Sequence, residues 1–205
     1  MPNKQGHETS SVFVALVGRP NVGKSSLTNQ LVGEKVAIVT NKPQTTRSRI
    51  TGVITKGPVQ YVLMDTPGIH LPRNKLDARM TQTAAASVKD VDVTVMLFEP
   101  AGTFTESEQT MMDALRKSGP ALAVINKVDT LRGFEELEAR RQEIARLEIF
   151  EEVLTVSAKD GTGCDALLEK LKTYATPGPH YFDDDAFTDM PEKELVAELI
   201  REKLL

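Results

Sequence analysis

The stretch that most limits how this chain can fold begins with a short β-branched run, Val12 to Val17, which leads directly into Gly18-Arg19-Pro20-Asn21-Val22-Gly23-Lys24-Ser25. Behind it, from Ser26 to Val32, Leu27, Leu31 and Val32 recur at helical spacing. A buried strand therefore opens through a glycine-rich turn onto the start of a helix. Gly18 and Gly23 let the backbone turn sharply, so that the successive N–H groups from Gly18 to Ser26 point into one hollow, where the helix N-terminus adds partial positive charge. Such a hollow is a phosphate cradle: Lys24 can reach the outer phosphates, and the Ser25 hydroxyl suits a hard cation such as Mg²⁺. A surface turn has no need of Lys and Ser at these two positions.

The rest of the chain alternates. Gly33 to Ser48 is long and polar, broken by Val36 to Val39, and contains Pro43-Gln44-Thr45-Thr46-Arg47, which reads as a mobile functional loop. Ile50 to Thr55 and Val59 to Met64, joined across Lys56-Gly57-Pro58, read as an antiparallel hairpin whose second strand ends at Asp65-Thr66-Pro67-Gly68. Helical patterns at Asn74 to Lys89, Glu106 to Ser118, Phe134 to Leu147 and Asp165 to Tyr174 then alternate with apolar strands at Val91 to Phe98, Ala121 to Ile125 and Glu152 to Val156. The expected fold is α/β: a mostly parallel six-stranded sheet with one antiparallel strand and helices on both faces, whose ligands bind beyond the carboxyl ends of the strands. Residues 1 to 10 read as a disordered terminus, 11 to 175 as the folded domain and 176 to 190 as a linker rich in Pro, Gly and Asp. Residues 191 to 205 read as a helix with Leu195, Val196, Leu199, Ile200 and Leu204 in one apolar stripe.

Bulk properties exclude several classes. The 205 residues carry a net charge of −4 and no large basic cluster, so nothing advertises a nucleic-acid surface. The single cysteine, Cys164, rules out an internal disulfide and reads as a small helix-start residue. No apolar stretch has the length of a membrane span, and the polar first ten residues lack a signal-peptide core, which predicts a cytoplasmic protein.

The chemistry-bearing residues fall at strand ends. Asp65, three residues before Gly68, can hold a magnesium ion through water, while the Gly68 N–H meets a γ-phosphate. Asp160 and Gly163 repeat that spacing, but only Asp65 follows an apolar strand. Asn126-Lys127-Val128-Asp129 is the base reader: the Asp129 carboxylate can accept from both N1–H and the exocyclic amine of guanine, a donor pair that adenine lacks. Asn74 to Asp77 matches the same pattern, but opens a helix rather than ending a buried strand. Ser157-Ala158-Lys159 ends the next strand, with the Ala158 N–H expected to face guanine O6. Ile69 stands where a water-orienting Gln would serve hydrolysis, so intrinsic turnover should be slow. His70, Arg47 and Arg49 read as solvated switch residues.

In order and spacing, Gly18 to Ser25, Thr45-Thr46, Asp65 to Gly68, Asn126 to Asp129 and Ser157 to Lys159 resemble the five signature elements of small GTP-binding domains. The wording Gly-Arg-Pro-Asn-Val-Gly-Lys-Ser, Gln-Thr-Thr-Arg and Asp-Thr-Pro-Gly-Ile-His, with Met190-Pro191-Glu192 leading into the last helix, resembles the Era family of P-loop GTPases. The resemblance implies a GTP-to-GDP switch with Mg²⁺ held by Ser25, Thr46 and, through water, Asp65. It implies catalysis drawing on Lys24, Thr46, Asn21 and Gly68, with K⁺ held against the phosphates by Asn21. It also implies 16S rRNA and the small ribosomal subunit as partners of the full-length family member, in a cytoplasmic protein with peripheral membrane association. The chain stops at Leu205, about where that family's KH domain starts, so RNA binding is not expected of these residues alone. Two alternatives share the motifs: another ribosome- or tRNA-related GTPase, and a nucleotide-binding scaffold with negligible hydrolysis.

Overall fold

The computed structural model describes residues 8–37, 50–65, 91–131, 133–191, 193, 195, 196 and 200, with the backbone alone at 50, 51 and 65. In chain order the elements are β1 (Ser10–Val17), α1 (Lys24–Val32), β2 (Ile50–Lys56), β3 (Val59–Asp65), β4 (Val93–Phe98), α2 (Glu106–Leu115) and β5 (Ala121–Ile125). A 3₁₀ turn (Val128–Thr130), α3 (Phe134–Ala145), β6 (Val153–Thr155), α4 (Cys164–Lys172) and a short β7 (Thr176–Pro177) complete the set. The helix expected at Asn74 to Lys89 lies outside the described residues.

Six strands run in the order β2-β3-β1-β4-β5-β6, with β2 antiparallel to β3 and the other neighbours parallel. Period-two alternation sorts their side chains onto the two faces. Val12, Val14, Leu16, Val93, Val95, Leu97, Leu122 and Val124 pack with Leu27 and Leu31 of α1 and Leu167, Leu168 and Leu171 of α4. Met96, Phe98, Ala121, Ala123 and Ile125 pack on the opposite side with Met111, Met112 and Leu115 of α2 and Ile144 of α3. The result is the expected three-layer sandwich.

Local chemistry sets the helix boundaries. Thr105 and Glu108 form a reciprocal capping box at the start of α2, satisfying orphan N–H groups of the first turn. Gly33 closes α1 in a left-handed conformation, its N–H donating to Asn29 O. Beyond that cap, the Asn29 side chain accepts from the N–H groups of Val36 (2.9 Å) and Ala37 (2.8 Å) and donates to Ala37 O. The first apolar residues of the polar segment are thereby buried on the domain; residues 38–49, with Thr45 and Thr46, lie outside the described region.

Both ends of the chain depart from expectation. The sheet includes residues before 11: β1 starts at Ser10, and Thr9 is buried. The segment read as a linker is fastened to the sheet. Thr176 and Pro177 pair antiparallel with Ser11 and Ser10, while Gly178 and Thr9 exchange hydrogen bonds. Gln60, fully buried in β3, accepts from the N–H groups of Tyr181 (2.8 Å) and Phe182 (3.0 Å) and donates to Phe182 O (3.0 Å). The Tyr181 ring meets Phe13 edge-on at 4.9 Å, and Phe187 O accepts from Val53 N–H on the outer edge of β2. Main-chain groups make most of these contacts, with the Gln60 amide, the Thr9 hydroxyl and the Phe13–Tyr181 ring pair, so a composition of Pro, Gly and Asp gives little sign of them. Farther on, Leu195 N–H donates to Pro191 O, and Val196 and Ile200 of the expected apolar stripe are exposed; Leu199 and Leu204 lie outside the described residues.

Candidate functional site

The cradle emerges from the carboxyl end of β1. Gly18 and Gly23 have φ of 149° and 103°, and the non-glycine Asn21 has φ of 62°. Positive φ is only part of the glycine requirement. A Cβ on Gly18 would stand 2.8 Å from Leu97 O, and one on Gly23 only 2.2 Å from Asn126 Nδ2, so both positions are kept bare by close neighbours as well as by backbone geometry. Lys24 opens α1, is 6% exposed, and donates from Nζ to Gly18 O and Arg19 O, both at 3.1 Å. It thus lies over the loop it follows. Arg19, Pro20, Ser25 and Ser26 are half-buried around the rim. Beyond Ser26, a cleft of about 480 Å³ runs between Asn29, Gln30, Lys35 and Ala158.

The second half of the site stands on the next strands. β5 ends at Ile125, and the Asn126 N–H donates to Phe98 O at 2.9 Å, holding the loop to the end of β4. The Asn126 side chain, in a residue 1% exposed, donates to Val22 O at 2.9 Å and accepts from Ala158 N–H at 3.0 Å. A single amide therefore ties the cradle to the loops that follow β5 and β6. The Ala158 N–H, expected to face guanine O6, is engaged by this amide, because a buried side-chain carbonyl needs a donor.

Lys127 adopts φ of 63°, and its Nζ donates to Asn21 O at 2.7 Å and to Glu99 at 2.8 Å. Asp129 lies within the 3₁₀ turn Val128–Thr130. Its Oδ1 accepts from the Ser157 hydroxyl at 2.9 Å, and its Oδ2 lies 3.8 Å from Lys159 Nζ. Ser157 is fully buried and Lys159 largely exposed. The carboxylate is consequently held on one side and open to solvent on the other, with its side chain 17% exposed.

Asp160, the competing match, serves its own loop instead. Its Oδ1 accepts from Thr162 N–H at 2.9 Å, and hydrogen bonds from the Thr162 side chain and main chain hold its carboxyl below the usual carboxylate range. The loop turns on Gly163, where a Cβ would stand 2.1 Å from Thr155 O. Asp65 is placed by its backbone, paired with Leu16 one residue before the cradle strand ends. Thr46, Gly68 and the second Asn-Lys-x-Asp match at Asn74 to Asp77 lie outside the described residues.

Two residues of the site escape the sequence patterns. Glu99, within what reads as a breaker cluster, faces both Arg19 (3.3 Å) and Lys127. Arg140, on a helix that reads as charged, has a side chain only 5% exposed. It donates to Glu99 O and Gly102 O and lies 4.5 Å from the centroid of Phe104, a cation–π distance. Its position is a detectable signal: Arg140 stands three residues after Leu137 and four before Ile144, on the inward face they define.

Donor chemistry and bare glycines together suit a nucleotide's phosphates. Known proteins agree with this geometry. A family model described as a 50S ribosome-binding GTPase matches residues 13–127. The GTPase Era of Lactobacillus helveticus is 45% identical over 199 residues, covering 97% of this chain and 65% of its own length. That of Clostridioides difficile is 43% identical over 196 residues, covering 95% and 66%. The crystal structure of Era in complex with MgGDPNP and nucleotides 1506-1542 of 16S ribosomal RNA superposes with a TM-score of 0.89 at 32% identity, over 95% of this chain and 67% of that one. An Aquifex aeolicus Era variant bound to GDP·AlF4⁻ gives 0.88 at 32% identity, over the same shares. The chain thus spans about two thirds of the length of the curated relatives it matches. With these likenesses in sequence and fold, the chain belongs to the Era family of P-loop GTPases.

Proposed function

We infer that the chain binds GTP with Mg²⁺, hydrolyses it to GDP and phosphate, and works through the difference between the two bound states. The observation that carries this reading is the Asn126 amide, bonded to Val22 O and to Ala158 N–H, which fixes the phosphate cradle and the Asp129 carboxylate in one frame. In that frame Asp129 accepts from the guanine edge while Ser157 holds it in place. Lys24 exchanges its contacts with loop carbonyls for phosphate oxygens, and main-chain N–H groups of the cradle bind the rest. Ser25, Thr46 and Asp65 are the residues that would hold magnesium, which supplies charge neutralisation on the phosphates when bound. Thr46 and Gly68 serve as the sensors of the γ-phosphate. Asn21, whose left-handed backbone turns the cradle at its outer edge, helps hold a potassium ion there.

Because a related Era has been crystallised with a 16S ribosomal RNA segment, the switch is extended to assembly of the small ribosomal subunit. Contact with such an RNA, cytoplasmic residence and peripheral membrane contact belong to the same extension. Among the described residues no helix is long and apolar enough to cross a membrane.

The test is phosphate release from GTP with Mg²⁺, in potassium and in sodium. Slow release that quickens in potassium, and loses that response in Asn21→Ala, is expected. Binding without any release in a single-turnover experiment would reduce the chain to a nucleotide-binding scaffold, a reading favoured by Ile69 after Gly68.

A further inference from the structure

The carboxylate of Glu99 stands where the two halves of the site meet. Glu99 directly follows β4, and β4 lies in the sheet between β1, which carries the cradle, and β5, which carries the base loop. Its oxygens are divided between the two: Oε2 lies 3.3 Å from Arg19 Nη2 on the cradle, and Oε1 lies 2.8 Å from Lys127 Nζ on the base loop. Lys127 continues the chain of contacts, donating to Asn21 O at 2.7 Å. Asn21 and Lys127 both hold left-handed backbones, with φ of 62° and 63°, a conformation that Asn takes readily and Lys seldom.

The main chain of Glu99 is secured separately. Arg140 donates to Glu99 O at 3.3 Å and to Gly102 O at 2.9 Å, while its guanidinium lies against Phe104. The Glu99 side chain is therefore not needed to shape its own loop. What remains for it is the pair of cations, which without a carboxylate between them would be like charges across the mouth of the cradle.

We propose that Glu99 is a positioning residue for the bound nucleotide: by pairing with Arg19 and Lys127 it locks cradle and base loop together, so that the ligand leaves only when both open. The role rests on the nucleotide-binding reading above and concerns release rather than the hydrolytic step. Because the three side chains are 28 to 37% exposed, each pair contributes modestly, and losing both should change release by about tenfold rather than a thousandfold.

The experiment follows release of fluorescent mant-GDP and mant-GTP from the full chain by stopped flow, for the unaltered protein, Glu99→Gln, Lys127→Gln and the double variant. Glu99→Gln is expected to release both nucleotides about tenfold faster, while the melting temperature of the nucleotide-free protein falls by no more than a few degrees. In the Lys127→Gln background the same change should add only about threefold, because one of its two partners has gone and the Arg19 pair remains. Glu99→Asp keeps the charge but is too short to span both cations, and should fall between. Unchanged release, or tighter binding because two cations have been freed for the phosphates, overturns the proposal. So does a loss of melting temperature of about 10 °C or more in step with the faster release, which would mark a purely structural residue. If the unaltered protein binds no mant-GDP, the nucleotide-binding reading fails instead, so the two failures are distinct.

Discussion

Replacing Asn126 with Ala removes the amide that joins the cradle to the loop after β6. The side chain makes one hydrogen bond to Val22 O (2.9 Å) and one from Ala158 N–H (3.0 Å), in a residue 1% exposed. Truncation leaves a carbonyl and an N–H without partners; each such buried group costs about 1 to 3 kcal/mol, so a loss of about 3 kcal/mol is expected. For a domain stable by about 5 to 15 kcal/mol that is a large share, and at about 2 to 4 °C per kcal/mol the melting temperature should fall by about 10 °C. Excess GDP at a hundred times its Kd would stabilise the unaltered protein by about 2.7 kcal/mol, and the variant should lose much of this shift because cradle and clamp no longer share a frame. Asn126→Asp separates the two bonds: it keeps an acceptor for Ala158 but faces Val22 O with a second oxygen, and should be no better than Ala. Thermal unfolding with and without GDP reads both effects. A drop of under about 2 °C in Asn126→Ala, or an undiminished GDP shift, would refute the view that this amide fixes the site.

Three further outcomes follow from the geometry. Gly23→Ala puts a methyl group 2.2 Å from Asn126 Nδ2 at φ of 103°, so GDP affinity measured by titration calorimetry should fall at least about tenfold; a Kd within about twofold of the unaltered value would contradict the packing. Gln60→Leu deletes the three hydrogen bonds that hold Tyr181 and Phe182 and should cost about 2 to 4 kcal/mol, with protease cleavage appearing first between residues 178 and 190; equal protection would show that the fastening is superficial. Burial, with Asp165 and Asp160 nearby, pushes the Cys164 thiol up to about 11. The folded state therefore keeps a proton that the unfolded chain releases, so this group removes up to about 3 kcal/mol of stability as pH rises from about 9 to 11 and has no effect below. Cys164→Ser should flatten that part of the pH-stability curve, and rapid alkylation of native Cys164 at pH 8 would contradict the assignment.

Sequence pattern carried the architecture far because its signals are local. The alternation of Val93, Val95 and Leu97 with Met96 and Phe98 states which face each residue buries, and the hairpin across Gly57-Pro58 follows from turn chemistry. The cradle, too, is one continuous stretch. What stayed hidden depends on partners distant in sequence. Asn126 and Gly23 are 103 positions apart, and nothing local says that the glycine is bare to admit that amide. Glu99 looks like a loop residue until Arg19 and Lys127 converge on it. The ordered segment 176–190 had one indirect sign: Gln60 sits in an otherwise apolar strand, where a buried polar side chain must find partners.

The measurement that tests the central claim most directly is base preference at Asp129, determined by titrating the unaltered chain and Asp129→Asn with GDP, XDP and ADP in Mg²⁺. The account predicts GDP well ahead of XDP and ADP for the unaltered protein, and for Asp129→Asn a loss of GDP affinity of about a hundredfold or more with a matching gain for XDP, whose C2 oxygen accepts from the new amide. GDP affinity unchanged in Asp129→Asn, or ADP bound as tightly as GDP by the unaltered protein, would contradict it.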